Sequence, residues 1–265
     1  MSAAAPIIPA VFEVAGKDGP AILLIHGFGA DRLSWLANQQ ALAAAGRVFA
    51  LDLPGHGETP LTGPGRLDDL ARAVEKAIDS SGIGPVHIIA HSLGGATAIA
   101  LAAARPDLVR SLGLIAGAGL GKAVDESFLS DYPKSSSPEE MEALLRRLVT
   151  RPRLINRQMA ERALDQLEAP RVREELTAIA DELRRIDQVI EPSLQTVARS
   201  TLPRIAVWGA ADAIIPLDLD RLGRFDAESL ILEDAAHLPH IESPRRVNER
   251  LLRWLTAQKP VRSSA

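Results

Sequence analysis

The sequence predicts an α/β protein: a doubly wound, mostly parallel sheet with a helical lid inserted into it. Three observations carry this. Six short runs, at 21–25, 48–51, 86–90, 112–116, 205–208 and 229–232, are apolar almost throughout, as strands covered on both faces require. Longer amphipathic stretches alternate with them, which is the rhythm of strand–helix crossovers. Between about 120 and 199 the rhythm stops, and only helical patterns occur.

In chain order, the run at 21–25 leads to a helical pattern at 34–45. The run at 48–51 leads through Asp52-Leu53-Pro54-Gly55-His56-Gly57 to a second helical pattern at 67–80. The runs at 86–90 and 112–116 flank an apolar helix expected at 93–104. Inside the insertion, Ser137-Pro138-Glu139-Glu140 opens a helix with an N-cap Ser, a Pro at the first helical position and a capping-box Glu. Met141, Leu144, Leu145 and Leu148 then share one face. The last two strands follow, and Ser243-Pro244 opens a closing helix at 244–257. The domain reading is a core formed by 1–119 and 200–265, with a lid at 120–199. The ends, 2–9 and 258–265, read as frayed tails.

Composition narrows the chemistry. A chain of 265 residues is long enough for a full-sized core. With no cysteine, disulfides, thiolate catalysis, zinc–thiolate sites and iron–sulfur clusters are excluded. A net charge of −4, with five Phe, three Trp and one Tyr, argues against nucleic-acid binding, which wants a basic face or stacking rings. No stretch reaches the roughly 20 apolar residues needed to span a membrane. The N-terminus lacks the basic flank and apolar run of a signal peptide, so the expected location is the cytoplasm. No cofactor or metal is expected: His87 and His91 are four apart, but one falls in a strand and the other in a turn. The expected partner is a small-molecule acyl substrate, with no nucleic acid or membrane; oligomeric state is not readable.

The candidate chemistry begins at Ala90-His91-Ser92-Leu93-Gly94-Gly95, where a buried strand meets a helix. A strand–turn–helix this sharp strains the serine and needs small residues two before and two after it. Ala90 and Gly94 meet that need, although Gly is more usual at the first position. Ser92 is then a nucleophile exposed at the sheet edge. A serine hydroxyl needs a base and a group to orient that base. His237, just past the last strand, and Asp212, just past the strand before it, are the candidates. His26-Gly27-Phe28-Gly29, directly after the first apolar run, can turn a backbone N–H toward a developing oxyanion; the donors expected are the N–H groups of Phe28 and Leu93.

Together, His26-Gly27-Phe28-Gly29, Asp52-Leu53-Pro54-Gly55-His56-Gly57, the Ser92 elbow, Asp212 and His237 resemble the α/β-hydrolase superfamily over essentially the whole chain. The order Ser, Asp, His is the one this superfamily uses. More narrowly, Ala116-Gly117-Ala118-Gly119-Leu120-Gly121 and the insertion resemble the hydrolase-like C-terminal domain of the acetoin-dehydrogenase dihydrolipoyl acetyltransferase component and its free-standing relatives. No lipoyl domain fits before Ala21, so within that branch the chain is expected to be a free-standing or excised form.

The resemblance implies a serine hydrolase working through an acyl-enzyme, carboxylesterase-like on a small or aliphatic acyl group. Two alternatives stand beside it. One is a carbon–carbon bond hydrolase of the meta-cleavage type, whose members commonly carry Trp after the catalytic His, where this chain has Leu238. The other is a non-catalytic module associated with an acyltransferase complex. A dehalogenase needs a carboxylate at the elbow, so Ser92 excludes it. Aromatic scarcity predicts a mainly aliphatic pocket, with Phe28 and either Phe128 or Tyr132 as the few rings facing substrate. Remaining polar residues take plainer readings: His26 braces its loop, His56 is exposed or bracing, and His240 and Glu242 shape the loop after His237. Arg146, Arg147, Arg151, Arg153 and Arg157 form a solvated face.

Overall fold

The computed structural model describes residues 7–258. Seven strands form one sheet in the order β1-β3-β2-β4-β5-β6-β7. They are β1 (Val11–Ala15), β2 (Ala21–Ile25), β3 (Arg47–Leu51), β4 (Val86–His91), β5 (Val109–Ile115), β6 (Arg204–Gly209) and β7 (Glu228–Leu232). All pairings are parallel except that of β1 with β3. The expected tails lie largely outside the described residues, and among these residues no helix is long and apolar enough to cross a membrane.

The all-apolar runs are explained by two cores, one on each face of the sheet. Leu23, Phe49, Ile88, Leu114 and Trp208 face one way, toward α2 (Leu67–Ser81) and α3 (Leu93–Ala104). Ile22, Val48, Ile89, Ile115 and Val207 face the other, toward Trp35, Leu42, Leu251 and Trp254. The last four side chains come from a 3₁₀ turn at Arg32–Trp35, from α1 (Gln39–Leu42) and from a closing helix described below. On a sheet covered on both sides, alternate positions point into one core or the other, so apolar residues dominate the strands, and buried polar exceptions such as His87, Ser111 and Arg204 are hydrogen-bonded. Helix α3 is buried on nearly every side, so its sequence is apolar all round rather than striped.

Two expectations need correction. The single helix expected over 34–45 is broken into the 3₁₀ turn and α1, because Asn38 lies inside the fold and donates to His240 O (3.1 Å) and Asn248 Oδ1 (2.8 Å). The strand β1 was not expected at all. It is short, lies at the sheet edge and is only half-buried, so it lacks the apolar run that marked the others.

Between β5 and β6 come α4 (Glu126–Asp131), α5 (Pro138–Arg146), α6 (Arg157–Leu167), α7 (Val172–Leu183), α8 (Ile186–Val189) and α9 (Glu191–Ala198), with no strand among them. Helix α5 starts as its sequence indicates: Ser137 Oγ accepts from Glu140 N–H at 3.2 Å. Glu140, however, reaches back to the N–H of Ser136 (2.9 Å), one residue before the expected partner. Helix α10 (Leu219–Phe225) joins β6 to β7, and α11 (Pro239–Glu242) and α12 (Pro244–Ala257) complete the chain.

Candidate active site

Ser92 sits at the C-terminal end of the central strand β4, with φ 52° and ψ −115°. A non-glycine residue there carries roughly 1–3 kcal/mol of strain and persists only when its surroundings over-determine it. They do. Its N–H donates to Ile115 O (3.0 Å), and its carbonyl accepts from Gly95 (2.9 Å) and Ala118 (3.0 Å). A Cβ on Gly94 would run into the carbonyl oxygens of Ile25 and His26. A Cβ on Gly27 would come within 2.6 Å of His91 Nδ1 and 3.1 Å of Ser92 Cβ. The two glycines let the β2 loop press against the elbow.

Asp212 and His237 meet as their positions after β6 and β7 suggested. Asp212 Oδ1 accepts from Ile214 and Ile215 N–H, both at 2.9 Å, while Oδ2 lies 2.8 Å from His237 Nδ1. A carboxylate only accepts, so Nδ1 carries the proton and Nε2 is the ring's basic nitrogen. His237 and Ser92 line the same cavity. The carbonyl of His237 is itself held, accepting from His91 Nε2 at 2.9 Å.

Burial disfavours protonation of the neighbouring imidazoles. His91 packs with its ring tilted, 4.8 Å from both His237 and His240, and His240 lies 4.8 Å from Trp35. Burial, then the nearby rings of His237 and His240, hold His91 well below the ordinary histidine value. Burial likewise brings His240 down to about 3. His91 is a brace that the sequence reading missed; its signal was only its place beside Ser92.

Phe28 lines the cavity, and Leu93 is the first residue of α3, where a backbone N–H has no intrahelical acceptor. His26 braces this loop: its Nε2 accepts from Leu53 N–H (2.9 Å), which leaves Nδ1 to donate to Gly27 O (2.8 Å). His56 is buried rather than exposed, packing 5.1 Å from His26 and 6.2 Å from Phe28. Burial pushes it down to about 3.

The cavity has a volume of about 360 Å³, and its lining is mainly aliphatic, from Val124, Leu129, Leu145, Leu148, Ile155 and Ile214. The rings of Phe28, Phe128 and Tyr132 all reach it. The inserted helices touch the core at the loop after β2, next to the candidate site. Tyr132 Oη donates to Gly29 O (2.5 Å), and Arg162 and Gln166 of α6 both reach Asp31 Oδ2 at 2.7 Å. Burial opposes ionisation of Asp31, but the Arg162 guanidinium and the Leu33 N–H outweigh it and hold the carboxyl below its usual value. The arginine lining the cavity is thus Arg162, outside the group read as a solvated face. Within that group Arg151 departs from the reading, since its guanidinium donates to the Glu242 carbonyl.

A serine strained at a strand–helix elbow, with Asp and His on the loops after later parallel strands, defines the class: an α/β-hydrolase fold. The chain belongs to the alpha/beta hydrolase family, whose pattern matches residues 22–250. It is 38% identical over 250 residues to the dihydrolipoyllysine-residue acetyltransferase component of the acetoin cleaving system of Pseudomonas putida, covering 92% of this chain and 65% of that one. It therefore spans just under two thirds of that relative's length. Against the pimeloyl-[acyl-carrier protein] methyl ester esterase of Neisseria meningitidis, identity is 31% over 252 residues, covering 83% of this chain and 87% of that one. The fold matches the meta-cleavage product hydrolase of Pseudomonas fluorescens IP01 with a TM-score of 0.82 at 23% identity, covering 94% of each chain.

Proposed function

We propose that the protein is a serine hydrolase that cleaves small or aliphatic acyl esters through an acyl-enzyme. The observation that carries this reading is the His237–Asp212 bond of 2.8 Å, with His237 and the strained Ser92 lining the same cavity. Ser92 Oγ attacks the acyl carbonyl carbon while His237 Nε2 takes its proton. Asp212 holds the tautomer and stabilises the imidazolium. The N–H groups of Phe28 and Leu93 bind the oxyanion, and His237 returns the proton to the departing alcohol. Water then attacks the acyl-Ser92 ester, losing its proton to His237, which returns it to Ser92 Oγ as the acyl–oxygen bond breaks and the acid is released. Residues 120–199 act as the lid over the cavity.

The aliphatic lining supports simple acyl chains over planar dienoates. A fluorophosphonate probe should label Ser92 of the folded protein, and Ser92→Ala should lower ester turnover by at least ~10⁴-fold. Retention of most activity in Ser92→Ala would sink the assignment. A panel of acyl esters of increasing length, with one dienoate alongside, separates the ester reading from carbon–carbon bond hydrolysis. Absence of labelling and turnover in folded protein favours the non-catalytic module.

A further inference from the structure

His237 is held from both sides, and both anchors involve the insertion. The N–H of Leu238, just after it, donates to Leu148 O at 3.2 Å. The N–H of Ala236, just before it, donates to Glu242 Oε1 at 2.6 Å. The other oxygen of Glu242 accepts from Thr150 twice, from the backbone N–H at 2.8 Å and from Oγ1 at 2.6 Å. Thr150 Oγ1 also lies 3.0 Å from Asp234 O, so its one hydrogen is shared between two acceptors. Arg151 donates to the carbonyl of Glu242.

Glu242 is only 4% exposed. A carboxylate buried to that degree depends on its donors, and removing them strands a charge. Two of its three donor contacts come from Thr150, in the turn after α5, so seating that turn completes the shell of a residue that grips the backbone beside the base. A brace serving only its own loop would draw its partners from residues 234–242.

We infer that Glu242 and Thr150 are positioning residues that make the orientation of His237 depend on the docked insertion. The inference rests on the reading of His237 as the base. Because misplacement of a catalytic group by about 1 Å can cost ~10²-fold, Glu242→Gln should lower kcat by ~30- to 100-fold. That variant turns an amide N–H toward a donor. Thr150→Val, which keeps the backbone N–H and the branched shape, should lower kcat by ~3- to 10-fold on the same reasoning. In both, KM should stay within about twofold, and phosphonylation of Ser92 should slow in step with kcat. Thr150→Ser, which keeps the hydroxyl, should restore both rates.

A second readout is independent of activity. The downfield proton resonance of His237 Nδ1–H against Asp212 should shift or broaden in Glu242→Gln and Thr150→Val and return in Thr150→Ser. An unchanged resonance, or a loss confined to melting temperature or KM, overturns the inference. Failure of the wild-type protein to label at Ser92 instead overturns the hydrolase reading, and the resonance still decides the coupling. Where Glu242→Gln does not fold, Thr150→Val and Thr150→Ser carry the test.

Discussion

At Ser92, stability and chemistry pull in opposite directions. The backbone at φ 52° suits glycine, so the hydroxyl is held in place at a cost to the fold. Ser92→Gly should therefore raise stability by about 1 kcal/mol in a denaturant melt while abolishing turnover. Ser92→Ala, which keeps the Cβ and hence the strain, should show no such gain. Equal melts for the two variants would contradict the argument. Much of this site was legible residue by residue. Ser92, Asp212 and His237, which the structure brings together, stand out because the proposed chemistry needs a nucleophile, a carboxylate and a base just past strand ends, and a small residue at Ala90 and Gly94 is a steric demand visible in one dimension. His91, Asp31 and Thr150 were not legible, because their roles come from partners 146, 131 and 92 residues away.

Legibility among the elements followed continuity of apolar sequence more than burial, since the edge strand β7 is no better buried than β1 and yet its run was readable. Strands covered on both faces, and helix α3 among them, announce themselves by composition alone. Helix α12 was placed to the residue, because Pro244 marks its start and its apolar stripe runs to Leu255. The edge strand β1 carries Glu13, paired with Arg47 at 2.8 Å on the solvent side, and so has no continuous apolar signal. The seating of the inserted helices belongs to the same illegible class, since it depends on single polar contacts. One of these is the grip of α6 on Asp31. Asp31→Asn keeps an acceptor for Leu33 N–H (2.8 Å) but weakens the hold on Arg162 and Gln166. Arg162 is largely exposed, so the stability cost should be small, ~1 kcal/mol or less. The effect should instead appear as faster amide exchange across Arg157–Leu167, with little change in α2 or α12. Uniform exchange throughout would show that Asp31 does not tie α6 down.

For the whole molecule, the buried histidines set an acid limit. His56 and His240 lie at about 3 and His87 at about 4, against an ordinary 6.5, chiefly because burial disfavours the charged ring. The unfolded chain takes up protons that the folded one refuses. Stability is therefore full above about pH 6.5 and falls as pH drops toward 4, by at most ~1.4 kcal/mol per pH unit for each such ring. The paired Asp31, with its lowered value, gives way only below the ordinary carboxylate range. Melting temperatures measured from pH 7.5 to 4.5 should decline below 6.5. A flat profile would mean that these rings accept protons in place.

All six histidines of the chain are interior, so the outer surface presents no imidazole. Three of them, His91, His237 and His240, line the cavity, whereas His26, His56 and His87 lie elsewhere in the interior. An agent that seeks imidazole therefore finds no exposed ring on the described surface, and at the cavity it reaches only these three, in competition with whatever occupies that space.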